Sequence, residues 1–178
     1  SLSEERVELP FPASQYLTVR CQSEFLFASQ TRDLIEKELN RDGEAKSAGQ
    51  NCLVLLSAPS SEDEKDFFSK CENAAEAYIL RLKKASIELI ATKHAGFINA
   101  AMSARQLLCW KNDTLSFPLG ELHDWPDFGV RAAARWTLCG EATRWALDYG
   151  EGPEAFLEFA QKELDFLMRH KVNAVYFD

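Results

Sequence analysis

Apolar and polar positions change rhythm along the chain, and each rhythm predicts an element. Residues 16–21 (Tyr16, Leu17, Thr18, Val19, Arg20, Cys21) are rich in β-formers and bounded by Pro12 and Ser23, which predicts a short strand. Phe27, Leu34, Ile35 and Leu39 recur at helical spacing, with Glu, Lys and Arg between them, so residues 29–41 predict a helix. Cys52, Leu53, Val54, Leu55 and Leu56 form an apolar run closed by Ser57 and Pro59, the pattern of a buried strand. Residues 60–73 read as an acidic connector with a helical turn near 66–70. Tyr78, Leu80 and Leu82 then alternate with Arg81 and Lys83, and Ile87, Leu89 and Ala91 fall in phase after a turn at Lys84-Ala85: a β-hairpin. Phe97, Ala101, Ala104 and Leu108 mark a following helix, ended by the turn-like Lys111-Asn112-Asp113. The first part is therefore α+β, β-α-β-β-β-α, a small sheet with its helices most simply on one face.

The character changes at Leu119. Residues 120–128 read as an irregular linker with aromatic anchors. Residues 130–138 predict a strand. Pro153 opens a strong helix with Phe156, Ala160, Leu164 and Leu167 on one side and Arg169, His170 and Lys171 in its last turn. Residues 172–177 predict another strand. A β-α-β unit is the building block of parallel sheets and (β/α) barrels, and two parallel strands cannot close one. The reading is thus a first domain over 1–119, then a linker and the start of a truncated (β/α)8 barrel over 120–178.

Composition narrows the partners. An apolar fraction of 46% and a charged fraction of 27% are ordinary for a globular protein. A net charge of −8 argues against nucleic acid and anionic membranes, and leaves a neutral sugar open as ligand. No apolar run approaches the roughly 18 residues that would insert in a bilayer. Residues 1–12 lack the basic start and apolar stretch of a signal peptide and read as a leader into the domain. The cysteines at 21, 52, 71, 109 and 139 form no CxxC pair, and buried free thiols are the simplest reading. No histidine spacing suits a metal, so neither metal nor other cofactor is expected.

Three short motifs then fall in order. Ala104-Arg105-Gln106-Leu107-Leu108 ends the second predicted helix. Asp124, Pro126, Phe128 and Arg131 spell Asp-x-Pro-x-Phe-x-x-Arg. Lys171-Val172-Asn173 precedes the last strand. Together they resemble the N-terminal region of family 20 glycoside hydrolases, the β-N-acetylhexosaminidase type, over about residues 78–178. The resemblance implies a small accessory α+β domain ahead of a (β/α)8 barrel, and a secreted or periplasmic location. Two positions depart from the family pattern. Ala132 follows Arg131 where Gly is usual, and Tyr176-Phe177-Asp178 stands where a His-aromatic-His is usual. A hexosaminidase and a related glycosidase acting on another sugar both remain open.

The same resemblance makes Arg131 a sugar-binding candidate, since a planar guanidinium suits adjacent hydroxyls. An ion pair to Asp124 or Asp127 is the plainer alternative. Asp178, at the end of a barrel strand, and Trp145, in the loop after the first one, are the other substrate-binding candidates, with Trp125, Trp136 and Tyr149 as further stacking aromatics. No catalytic residue is assigned. The family's adjacent Asp-Glu pair lies on barrel strand four, beyond this chain, and Glu62-Asp63-Glu64 reads as solvated charge. The expectation is a non-catalytic piece of a glycosidase, inactive by itself, touching carbohydrate through the full-length enzyme and prone to self-association through its unclosed barrel edge. The alternative is a stand-alone carbohydrate-binding or protein-interaction module, distinguished by whether the 130–138 and 172–177 segments pair with each other or join the first sheet.

Overall fold

A computed structural model describes residues 2–10, 17–21, 28–40, 53–111, 114–134 and 152–176, and it divides into two compact units, Ser1–Asp127 and Phe128–Asp178. The first unit contains β1 (Leu2–Pro10), β2 (Thr18–Cys21), α1 (Ala28–Leu39), β3 (Leu53–Ser57), α2 (Glu62–Lys70), β4 (Tyr78–Leu82), β5 (Ser86–Ala91), α3 (His94–Leu107), β6 (Cys109–Lys111) and β7 (Thr114–Asp124). The strands form one mixed sheet in the order β1-β7-β4-β5-β3-β2, with β6 also paired to β7. β2, β3 and β5 run parallel, whereas β4 is antiparallel to both β5 and β7.

The β4–β5 hairpin forms where the alternation predicted it. Tyr78 faces Ala91, Leu80 faces Leu89 and Leu82 faces Ile87, so all six side chains share one side of the sheet, and all are buried. Val54 and Leu56 of β3 extend that side, and α3 covers it. Gly96 lets the first turn of α3 reach the sheet: a Cβ there would lie 2.4 Å from the Ala77 carbonyl oxygen and 2.9 Å from the Ala91 Cβ. Buried Ala100, Ala101 and Ala104 continue the close approach. Helix α1 packs beside α3 and reaches the edge strand with polar side chains. Asn40 Oδ1 accepts the Leu17 N–H at 2.7 Å, and Glu36 Oε2 accepts that of Val19 at 3.1 Å.

The helices do not share one face, contrary to the reading from periodicity. Ile79 and Ile90 point to the other side of the hairpin, where α2 buries Phe68 with Cys71 and Ala77 against them. Each such large apolar side chain contributes about 1.5–3 kcal/mol on burial. The alternation had shown Arg81 and Lys83 as the outer face and hidden Ile79, which falls on the same face before them. The acidic connector is α2 itself. Ser61 caps it in a reciprocal capping box with Glu64, which is only 4% exposed.

Three strands lie where no strand was expected: β1, β6, where a helix end and a turn were read, and β7. The leader is β1, paired antiparallel to β7. Residues 120–124, read as linker, are the second half of β7 and pair with β4. Gly120 explains the misreading. It looks like a strand breaker, but at φ 137° it takes up a conformation other residues avoid while the pairing continues opposite Leu82.

The second unit contains β8 (Ala132–Ala134), α4 (Gly152–Arg169) and β9 (Ala174–Tyr176). β8 and β9 are parallel, Ala132 beside Ala174 and Ala134 beside Tyr176, in a sheet of their own. Helix α4 ends in a Schellman motif: the Val172 N–H bonds to Leu167 O and the Lys171 N–H to Met168 O, with Lys171 left-handed at φ 56°. His170 caps the same turn, its Nδ1 lying 2.8 Å from Phe166 O.

Candidate functional site

Arg131 immediately precedes β8, at the start of the described strand. Its Nε donates to Lys171 O at 2.7 Å and its Nη1 to Phe128 O at 2.9 Å. Asn173 completes the corner. Its Oδ1 accepts the Arg131 N–H at 2.8 Å, its Nδ2 donates to Gly129 O at 2.8 Å, and its own N–H bonds to Arg131 O at 3.1 Å. One asparagine thereby prolongs the β8–β9 pairing backwards, and the guanidinium ties that pairing to the Schellman turn of α4. The result is a cation held in a fixed orientation by backbone carbonyls. Trp145 and Asp178 lie outside the described residues, as do Trp136 and Tyr149. Asn173, quoted above only as part of a motif, is the residue that organises the corner. Its partners lie more than forty positions away, so no local signal marks it.

In the first unit a polar cluster lies on each side of the sheet beside β4 and β7. On the α2 side, Arg81 bridges two carboxylates: Nη1 meets Glu64 Oε1 and Nε meets Glu121 Oε2, both at 2.5 Å. Burial would raise the Glu64 carboxyl. The backbone N–H groups of Ser60 and Ser61, together with Arg81, outweigh that and hold it at about 2. Glu121 is likewise lowered against the pull of burial by Arg81 and His123, which it also bonds. Glu121 raises Arg81 in turn, with Glu64 adding to it. A carboxyl locked in its ionised form cannot donate a proton near neutral pH, so this pair is unsuited to general-acid work. Glu64 is therefore no solvated charge. Its signal was legible as Ser61-x-x-Glu64, a capping box ahead of an apolar pair.

On the α3 side, Tyr78 Oη donates to Asp124 Oδ2 at 2.6 Å and lies 2.5 Å from Ser103 Oγ. With its single proton given to Asp124, Tyr78 accepts from Ser103. Burial, then the neighbouring Asp124, push the phenol well above its ordinary value. Beyond β7, Trp125 meets Phe67 edge-on at 5.8 Å, and His123 meets the same ring at 4.8 Å. Among the described residues no three His, Cys, Asp or Glu side chains are grouped to hold a metal, and no helix is long and apolar enough to cross a membrane. Cys71 is buried, Cys21 half-buried and Cys109 exposed, all as free thiols. Burial raises the first two.

The model of glycosyl hydrolase family 20, domain 2, matches residues 7–125. No curated protein matches the chain. Among solved structures, a GH20 exo-β-N-acetylglucosaminidase from Vibrio harveyi is similar over 99% of this chain and 24% of its own, at 16% identity and TM-score 0.65. The N-acetyl-β-hexosaminidase of Streptomyces plicatus is similar over 99% and 32%, at 15% identity and TM-score 0.64. The β-N-acetylhexosaminidase of Bacteroides fragilis gives 99% and 31%, at 16% identity and TM-score 0.64. At these identities the likeness is one of fold, and the chain spans from about a quarter to a third of the length of these proteins.

Proposed function

The chain belongs to glycosyl hydrolase family 20, and on that premise we propose that its first unit is a non-catalytic accessory domain that buttresses the catalytic barrel of a longer glycosidase. Residues 128–178 are then the first strand, helix and strand of that barrel. The substrates are oligo- or polysaccharides, with β-N-acetylhexosaminides as the class named for the solved relatives. Arg131, Trp145 and Asp178 are the proposed sugar contacts; Arg131 enters that set from the motif alone, since it precedes β8 and its guanidinium bonds the Lys171 and Phe128 carbonyls.

The observation that carries this reading is the apolar surface of α4. At 100° per residue, Phe156, Ala160 and Leu167 form a central stripe. Leu157 and Leu164 flank it on one side, Phe159 and Phe166 on the other. The flanks are exposed, 65% at Leu157 and 43% at Phe166. A barrel helix packs on strands beneath and on a helix to either side, which calls for apolar character over this wide an arc. Such surface on a lone unit also favours self-association.

The test is to read the gene past the codon for Asp178 and assay both products on a chromogenic β-N-acetylglucosaminide. The reading expects further alternating strands and helices, an Asp-Glu pair after a strand, and turnover by the long product only. A stop codon at that point, or turnover by the 178-residue chain, contradicts it and favours a stand-alone module.

A further inference from the structure

We propose that Tyr78, Ser103 and Asp124 on one face of the sheet, and Phe67 with Trp125 on the other, form a two-sided clamp on the chain where it leaves the first unit. They are positioning residues. As a mount for a catalytic barrel the clamp rests on the reading above; as a clamp it stands on its own geometry.

The last residue of β7 is Asp124, and the residues around it turn to alternate faces. Asp124 points to the α3 side, where it accepts from Tyr78 Oη at 2.6 Å. Around it on that side Leu80, Leu89, Ala100, Ala104 and Met102 are buried. A buried phenol costs free energy unless it is hydrogen-bonded, and packing here would be met equally well by phenylalanine. Ser103 supplies the second bond, from the middle of α3, at 2.5 Å. Three polar groups from β4, α3 and β7 thus converge on one point, the root of the departing chain.

His123 and Trp125 lie to either side of Asp124 and both meet the edge or face of Phe67 from α2. Trp125 stays 41% exposed, so its contact with Phe67 holds it without burying it. Pro126 follows. Its ring fixes its own φ and keeps Trp125 extended, carrying the clamped direction one residue further. The Asp and Pro of the Asp-x-Pro-x-Phe-x-x-Arg string therefore serve the departure of the chain, while its Arg serves the corner described above.

The test is amide hydrogen exchange on the 178-residue chain, wild type against Asp124→Ala, Asp124→Asn, Tyr78→Phe and Trp125→Ala. In Asp124→Ala, amides of residues 122–127 should exchange roughly tenfold faster or more, the size expected for losing a bond to a charged acceptor, and in Trp125→Ala, which loses a ring contact, roughly threefold faster or more, with the β4–β5 hairpin changing less than about twofold in both. Asp124→Asn, which keeps an acceptor, should recover most of the protection. Equal acceleration in the hairpin would mean that these residues only stabilise the whole domain, and unchanged exchange at 122–127 would mean that they hold nothing; either overturns the clamp. In the longer gene product the same variants should split one calorimetric transition into two. A single retained transition there overturns the mounting role and leaves the clamp, whereas absence of any longer product bears on the accessory-domain reading.

Discussion

The two units solve burial in different ways. In the first, a mixed sheet is covered on both sides, by α3 with α1 beside it on one and by α2 on the other, and the central strands keep almost no exposed apolar side chain. Among the described residues of the second, two three-residue parallel strands and one long helix leave Phe128, Val130, Leu157, Phe159, Leu164 and Phe166 in solvent. The first is closed around its own core; the second leaves much of the apolar face of its helix uncovered. A family match confined to residues 7–125 falls on the closed unit.

Core truncation should separate the units most sharply. Leu89→Ala, in the middle of the first sheet, should cost about 2–5 kcal/mol in urea unfolding of that unit, whereas Leu157→Ala should change the same transition by less than about 0.5 kcal/mol. Gly96→Ala comes next. A methyl placed 2.4 Å from the Ala77 carbonyl must push α3 off the sheet, at about 1–3 kcal/mol, measured the same way.

Glu64→Gln leaves Arg81 with one carboxylate and should cost about 1–3 kcal/mol at pH 7. Its pH signature has a definite sign. The folded carboxyl sits at about 2, below its ordinary value of 4.5, so the stability it contributes is full above that ordinary value and is lost as pH falls from there toward 2. Wild type should weaken through that window, and Glu64→Gln should weaken less steeply.

The hairpin and α4 were legible because their partners are local. Tyr78, Leu80 and Leu82 meet Ile87, Leu89 and Ala91 across a short turn, and the apolar stripe of α4 needs only its own spacing. β1 was not legible: Glu4, Glu5 and Arg6 show no alternation, and Arg6 pairs with Pro118 more than a hundred residues away. α2 carried its signal in Ser61 and Glu64, where a dense run of charge drew the eye from the cap. At the corner of the second unit, the motif pointed to Arg131, but the carbonyls that hold it come from loops flanking β8 and β9 and appear only once those strands pair.

The smallest effects belong to the second unit. Asn173→Ala removes two bonds around Arg131 and should cost about 1–2 kcal/mol of that unit's stability, read by exchange of the Arg131 and Ala174 amides. Leu157→Ser with Phe166→Ser should leave stability nearly unchanged and reduce self-association in sedimentation.

The most direct test of the contrast is hydrogen exchange of the 178-residue chain beside the longer gene product. The account predicts that residues 53–111 are equally protected in both, while α4 and β9 gain protection of roughly a hundredfold or more only in the longer one, as local opening there is closed off by new neighbours. Equal protection of α4 and β9 in both would contradict it, and would mean that the second unit completes its own fold.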